Sequence, residues 1–144
     1  FYFYKMGYLK FKADKIFNGF QFLESNNVLI TDEKGVIKDI LTNVDAGDNV
    51  QEFKGILSPG FINCHCHLEL SHLKNVIPPH TGLLDFLCSV VTKRGFAQEI
   101  IQEEIIKAEK EMYEKGIVAV GDIGNTADTA VVKSNSKIYY WRNI

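Results

Sequence analysis

The sequence has no excess of positive charge. Its 16 Lys and Arg stand against 18 Asp and Glu, a net charge of −2. The two signs are mixed along the chain, which excludes the clustered basic footprint of a nucleic-acid binder. No apolar run reaches the roughly 18 residues that a membrane span requires. The aromatic start, Phe1-Tyr2-Phe3-Tyr4-Lys5-Met6, is interrupted by Lys5 and then by Lys10 and Lys12. It has neither the apolar core nor the small-residue cleavage site of a signal peptide. Met6 is a candidate start with residues 1–5 as upstream extension, and an edge strand is the plainer alternative. Cysteine is scarce: Cys64, Cys66 and Cys88 are an odd set, two of them in a Cys-x-Cys. That pattern is not a disulfide framework and fits a reducing, cytoplasmic setting. Internal repeats and low-complexity segments are also lacking.

What remains is globular. Nearly half of the 144 residues are apolar (46%) and about a quarter are charged (24%), enough for a domain with a real core. Residues 8–57 read as β-rich. Tyr8 to Ile16 alternates bulky and polar residues, and Asn18-Gly19 is a turn signal. Val28-Leu29-Ile30 and Val36 to Ile40 flank the loop Asp32-Glu33-Lys34-Gly35 and predict a hairpin. Asp45 to Asn49 is a polar break, and Val50 to Leu57 a further strand. Four short strands between turns imply a small sheet or half-sandwich over residues 1–57.

The character changes at Ser58-Pro59-Gly60. An apolar strand over Phe61 to His67 leads into a loop, Ser71 to Gly82, that holds Pro78-Pro79. Leu83 to Val91 has helical spacing. Ala97 to Lys115 is the clearest helix, with Ile101, Ile105, Ala108 and Met112 forming one apolar stripe. Glu103, Glu104, Lys107 and Lys110 form its solvated face. Gly116 sits where a C-cap glycine belongs. Ile117 to Gly121 predicts a buried parallel strand, Ala127 to Lys133 a short helix, and Lys137 to Trp141 another strand. This rhythm over residues 58–144 is that of an α/β barrel or doubly wound sheet.

The chemistry concentrates on His65 and His67. Two residues apart on a strand, both imidazoles point to one side, where they can share a divalent cation. Zinc takes histidine nitrogen at about 2.0–2.1 Å, and catalytic zinc sites keep one position open for water. The ion lowers the pKa of that water toward about 7. His-x-His alone is a weak signal, since the ordinary alternative is two satisfied histidines. Its place at the end of an apolar strand, after a Pro-Gly break and before a polar loop with Glu69, Ser71 and His72, strengthens it. Ligands at the C-terminal ends of barrel strands are where active sites of that fold sit.

The stretch Gly55-Ile56-Leu57-Ser58-Pro59-Gly60-Phe61-Ile62-Asn63-Cys64-His65-Cys66-His67-Leu68-Glu69 resembles the first barrel strand of the amidohydrolase superfamily. The β-rich segment before it is similar to that family's small N-terminal sheet domain, and Gly116 to Asn125 resembles the second barrel strand and its loop. The resemblance implies an incomplete TIM (β/α)8 barrel, about its first three strands, behind a small sheet or sandwich. It implies a metal-dependent hydrolase with one zinc, or another divalent ion such as Fe2+, and a small-molecule substrate. Asn63 matches the deaminase and chlorohydrolase branch, and His67-Leu68-Glu69-Leu70-Ser71 resembles deaminases of adenine-like bases. The reaction implied is deamination of an amino-substituted ring by activated water.

The family's further ligands, its acid–base glutamate and its metal-site aspartate have no match here. The chain therefore reads as a fragment, doubtful as a catalyst alone. Three barrel strands leave unpaired edges, a possible route to a homo-oligomer. Several residues carry competing readings. Glu69 is either a contact to substrate or metal-bound water, or a solvated loop carboxylate. Asp122 either orients active-site groups or serves a turn. Cys64 and Cys66 alternate with the histidines and so are expected against the helix layer as small buried hydrophobes. His72 and His80 read as loop histidines. Two rival accounts stand beside the hydrolase: a structural zinc or interaction module built from Cys64, Cys66, His72 and His80, and a non-functional truncated protein.

Overall fold

The computed structural model describes residues 7–24 and 26–143. The aromatic stretch Phe1 to Met6 lies outside them. The chain divides into two compact units, Phe1–Pro59 and Gly60–Ile144. Among the described residues no helix is long and apolar enough to cross a membrane.

The first unit is one four-stranded sheet. Its strands are β1 (Tyr8–Ile16), β2 (Asn27–Asp32), β3 (Ile37–Thr42) and β4 (Gln51–Leu57), in the order β3-β2-β1-β4. The expected hairpin is β2–β3, paired antiparallel. Its turn closes because Asp32 Oδ1 accepts the N–H groups of Lys34 (3.0 Å) and Val36 (2.9 Å), with Gly35 taking φ 80°. β4 joins β1 in parallel, with a bulge in β4 opposite Asp14. The Asp14 carboxylate accepts the Gly55 N–H there at 2.8 Å. Val28, Ile30 and Ala46 form the core, flanked by Leu41 and Val50. Among the described residues this unit forms a single sheet, the plainer of the two expected forms. The polar break contains a one-turn helix, α1 (Asn43–Ala46). Thr42 caps it by accepting the Asp45 N–H at 3.3 Å, the Thr-x-x-Asp form of a capping signature.

The second unit runs β5 (Phe61–Cys66), a 3₁₀ turn (Leu68–Leu73), α2 (Leu83–Lys93), α3 (Gln98–Glu114), β6 (Ile117–Ile123), α4 (Ala130–Asn135) and β7 (Tyr139–Asn143). The strands form a parallel sheet in the order β5-β6-β7, with helices in both crossovers. α3 places its predicted stripe inward: Ile105 is fully buried, and Ile101, Ala108 and Met112 are half-buried. Gly116, at φ 80°, ends the helix, and its carbonyl accepts the Phe61 N–H at 2.9 Å. A left-handed residue there costs glycine nothing.

Two expectations about burial change. β6 is fully buried only at Val120 (1% exposed) and Asp122 (2%), while Val118, earlier on the same face, is 49% exposed. The helices cover one side of the sheet, and Ile62, Tyr139 and Trp141 stand exposed on the other. α2 forms where its periodicity predicts, yet none of its residues is buried. Phe86 and Val90 instead line an open apolar cavity of about 1110 Å³, with Leu73, Ile77 and Ile100 opposite.

Candidate metal centre

β5 does not alternate simply. Asn63 pairs with Val120 and Cys66 with Asp122, so three steps on β5 span two on β6. This is a bulge, one extra residue opposite a regular partner. Asn63 and Cys66 therefore share the helix-covered face with Val120 and Asp122. Asn63 Nδ2 reaches Met112 Sδ of α3 at 3.9 Å, and its Oδ1 accepts the His65 N–H at 3.3 Å. The expectation for the cysteines is corrected on this point. Cys66 is half-buried beside Asp122, but Cys64 lies within the bulge and is exposed. Burial and then the Asp122 charge push the Cys66 thiol up to about 11, so it stays protonated at neutral pH.

His65, within the bulge, and His67, just beyond it, come together. Their Nε2 atoms stand 3.2 Å apart, with the rings edge to face at 5.0 Å. His67 Nδ1 lies 2.8 Å from the Ile123 carbonyl oxygen. A carbonyl can only accept, so Nδ1 carries the proton of the neutral ring and Nε2 keeps its lone pair. Two ring nitrogens face each other closely only across a shared proton or a cation. Nitrogens each about 2.0–2.1 Å from one tetrahedral ion stand about 3.3–3.4 Å apart, so the pair fits a divalent metal. Among the described residues, no group of three or more His, Cys, Asp and Glu side chains converges as a metal site.

The segment after the pair is tied down residue by residue. Leu68 donates its N–H to Asp122 Oδ1 at 2.8 Å. Asp122 is 2% exposed and forms an ion pair with Lys133 of α4. Glu69 is buried, with its carboxylate turned to the loop after β6. It accepts the backbone N–H groups of Asn125 and Thr126, both at 2.7 Å, and the Asn125 side-chain amide at 2.9 Å. Burial raises the Glu69 pKa, but the bonds from Asn125 and Thr126 outweigh it and hold the carboxyl below its ordinary value. Thr126 and Gln98 of α3 bind Asp128 in turn, each at 2.7 Å. Sequence reasoning missed this network and the 3₁₀ turn that starts it. The polar cluster Asp122 to Asp128 was its visible trace.

The residues of the rival zinc module do not assemble, and that reading is corrected. His72 is buried against Phe96, with ring centroids 5.2 Å apart and Nε2 3.3 Å from the Arg94 carbonyl. His80 is exposed in a turn at φ 63°. Cys64 is exposed, and Cys66 faces the helix layer. Side chains held on different faces cannot share one ion.

The comparisons with known proteins agree with this geometry. The amidohydrolase family matches residues 56–139, which include the His-x-His strand, α3 and β6. The chain belongs to the amidohydrolase family. Three solved structures are similar to it. Guanine deaminase from C. acetobutylicum, with guanine bound, is 17% identical at a TM-score of 0.71, over 94% of this chain and 35% of that one. Adenosine deaminase from Xanthomonas campestris, with zinc bound, is 19% identical at 0.58, over 88% and 31%. Ochratoxinase from A. niger is 13% identical at 0.56, over 93% and 30%. At these identities the likeness is one of fold, and the chain spans about a third of each relative's length. No curated protein matches significantly.

Proposed function

We propose that this chain carries the first metal-binding strand of an amidohydrolase that deaminates an amino-substituted ring, adenine-, guanine- or cytosine-like. The observation that carries the proposal is the His65–His67 pair, with Nε2 atoms 3.2 Å apart and the His67 tautomer set by Ile123. Two histidines are fewer than the three protein ligands of a catalytic zinc. The remaining ligand, the acid–base group and most substrate contacts then belong to barrel strands other than β5, β6 and β7. The two deaminases among the similar structures, one with zinc and one with guanine, support this branch, as does Asn63.

When bound, a single zinc or similar ion supplies Lewis acidity that makes water a competent nucleophile at neutral pH. The work of this chain's residues is positional. Asn63 holds the bulge, the Ile123 carbonyl keeps the His67 proton on Nδ1, and Glu69 fixes the loop beside the site. On this reading Glu69 is a loop anchor, and its carboxylate, already accepting three N–H bonds, does not exchange protons. Elemental analysis tests the proposal. His65→Ala and His67→Ala in the intact protein should each abolish zinc content and ammonia release from such rings. Unchanged zinc in both variants would overturn it.

A further inference from the structure

A buried ion pair, Asp122 with Lys133, lies beside the metal strand and touches neither histidine ring. Asp122 is 2% exposed, with its side chain fully inaccessible, and the side chain of Lys133 is only 12% exposed. Lys133 Nζ also sits 5.6 Å from the centre of the Tyr140 ring. Burying two charges is costly, and an apolar pair of the same shape is often at least as stable. Stability alone is thus a weak reason for charges here. The two carboxylate oxygens divide their work. Oδ2 faces Lys133, and Oδ1 accepts the N–H of Leu68, the residue directly after His67. The next β6 residue, Ile123, offers its carbonyl to the His67 ring. One strand end thus holds both the backbone and the side chain of the ligand.

We infer that Asp122 is a positioning residue of the metal centre: anchored by Lys133, it holds the Leu68 N–H and so presents His67 to Ile123 in the Nδ1-protonated form. The inference rests on the reading of His67 as a metal ligand. Outer partners that orient ligating histidines act without touching the ion. Asp122 does so through the main chain. Lys133 of α4 faces the second carboxylate oxygen, Oδ2, and leaves Oδ1 to Leu68.

Two double variants isolate the effect. Asp122→Asn with Lys133→Met keeps an acceptor for Leu68 and removes both charges. Asp122→Leu with Lys133→Met also removes the charges, fills the same space and has no acceptor. Neither leaves a lone buried charge, so both should fold, with far-UV circular dichroism as the check. Two readouts follow in the intact protein. The first is the His67 tautomer in metal-free protein, from ¹⁵N chemical shifts. The second is zinc affinity by competition with a chelating dye. The Asn/Met variant should keep the wild-type tautomer and affinity. The Leu/Met variant should mix tautomers and bind zinc about 10–100-fold more weakly. Equal tautomers and equal affinities in the two would overturn the inference. If the wild type binds no zinc, the ligand reading fails, and the tautomer comparison still decides whether Asp122 positions His67.

Discussion

Single atoms decide what His65 and His67 can do. The period of two on a strand made the pair legible, because it places both rings on one side. The same rule also placed both cysteines opposite, against the helix layer, and it holds for Cys66 but fails for Cys64. The bulge depends on how β5 registers against β6, more than fifty residues away, and no local pattern announces it. Glu69 was open for the same reason. Its partners, Asn125 and Thr126, are 56 and 57 positions distant, and a loop glutamate looks alike in sequence whether solvated or buried. Its lowered pKa has a consequence for stability. A carboxyl whose folded pKa lies below the unfolded one stabilises fully above the ordinary carboxylate range, and loses that contribution as pH falls through the folded value. Glu69→Gln should therefore cost about 1–3 kcal/mol near neutrality. In melts run from neutral to acidic pH, the gap from wild type should close below the carboxylate range. A gap independent of pH would show that the charge is not what matters.

Elements were more legible than their burial. α3 declared itself by its apolar stripe and by Gly116, and both are where the sequence places them. α2 shows an equally apolar pattern, but Leu83, Leu84 and Val91 are 71%, 78% and 66% exposed. Periodicity reports which face is apolar, not what lies against it. The 3₁₀ turn over Leu68–Leu73 had no cap signature to betray it, since His67 makes no side-chain cap. Packing between elements yields a sharper prediction at Gly121. A Cβ added there would stand 2.8 Å from the Cys64 carbonyl oxygen, a main-chain atom with no rotamer to yield. Gly121→Ala should push β6 from the bulge and cost about 1–3 kcal/mol in denaturant unfolding. An unchanged midpoint would mean that the two strands have slack the geometry does not show.

For the molecule as a whole, the order of the strands and of the longer helices was readable, and the change of character at Ser58-Pro59-Gly60 falls at the division between the two compact units. Which side of the parallel sheet is covered was not readable. Phe61, Ile62, Tyr139 and Trp141 are each more than 60% exposed, an apolar surface larger than isolated surface residues account for. An apolar strand in sequence is equally consistent with one covered face or two. The histidine pair belongs to the strand that bounds this uncovered surface, and the account stands or falls on whether that pair takes a metal. The most direct measurement is a zinc titration of ¹⁵N-histidine-labelled protein, followed at all four imidazoles. The account predicts that the Nε2 resonances of His65 and His67 move together while those of His72 and His80 stay in place. Movement of His72 and His80 instead, or no movement at the pair, would contradict it.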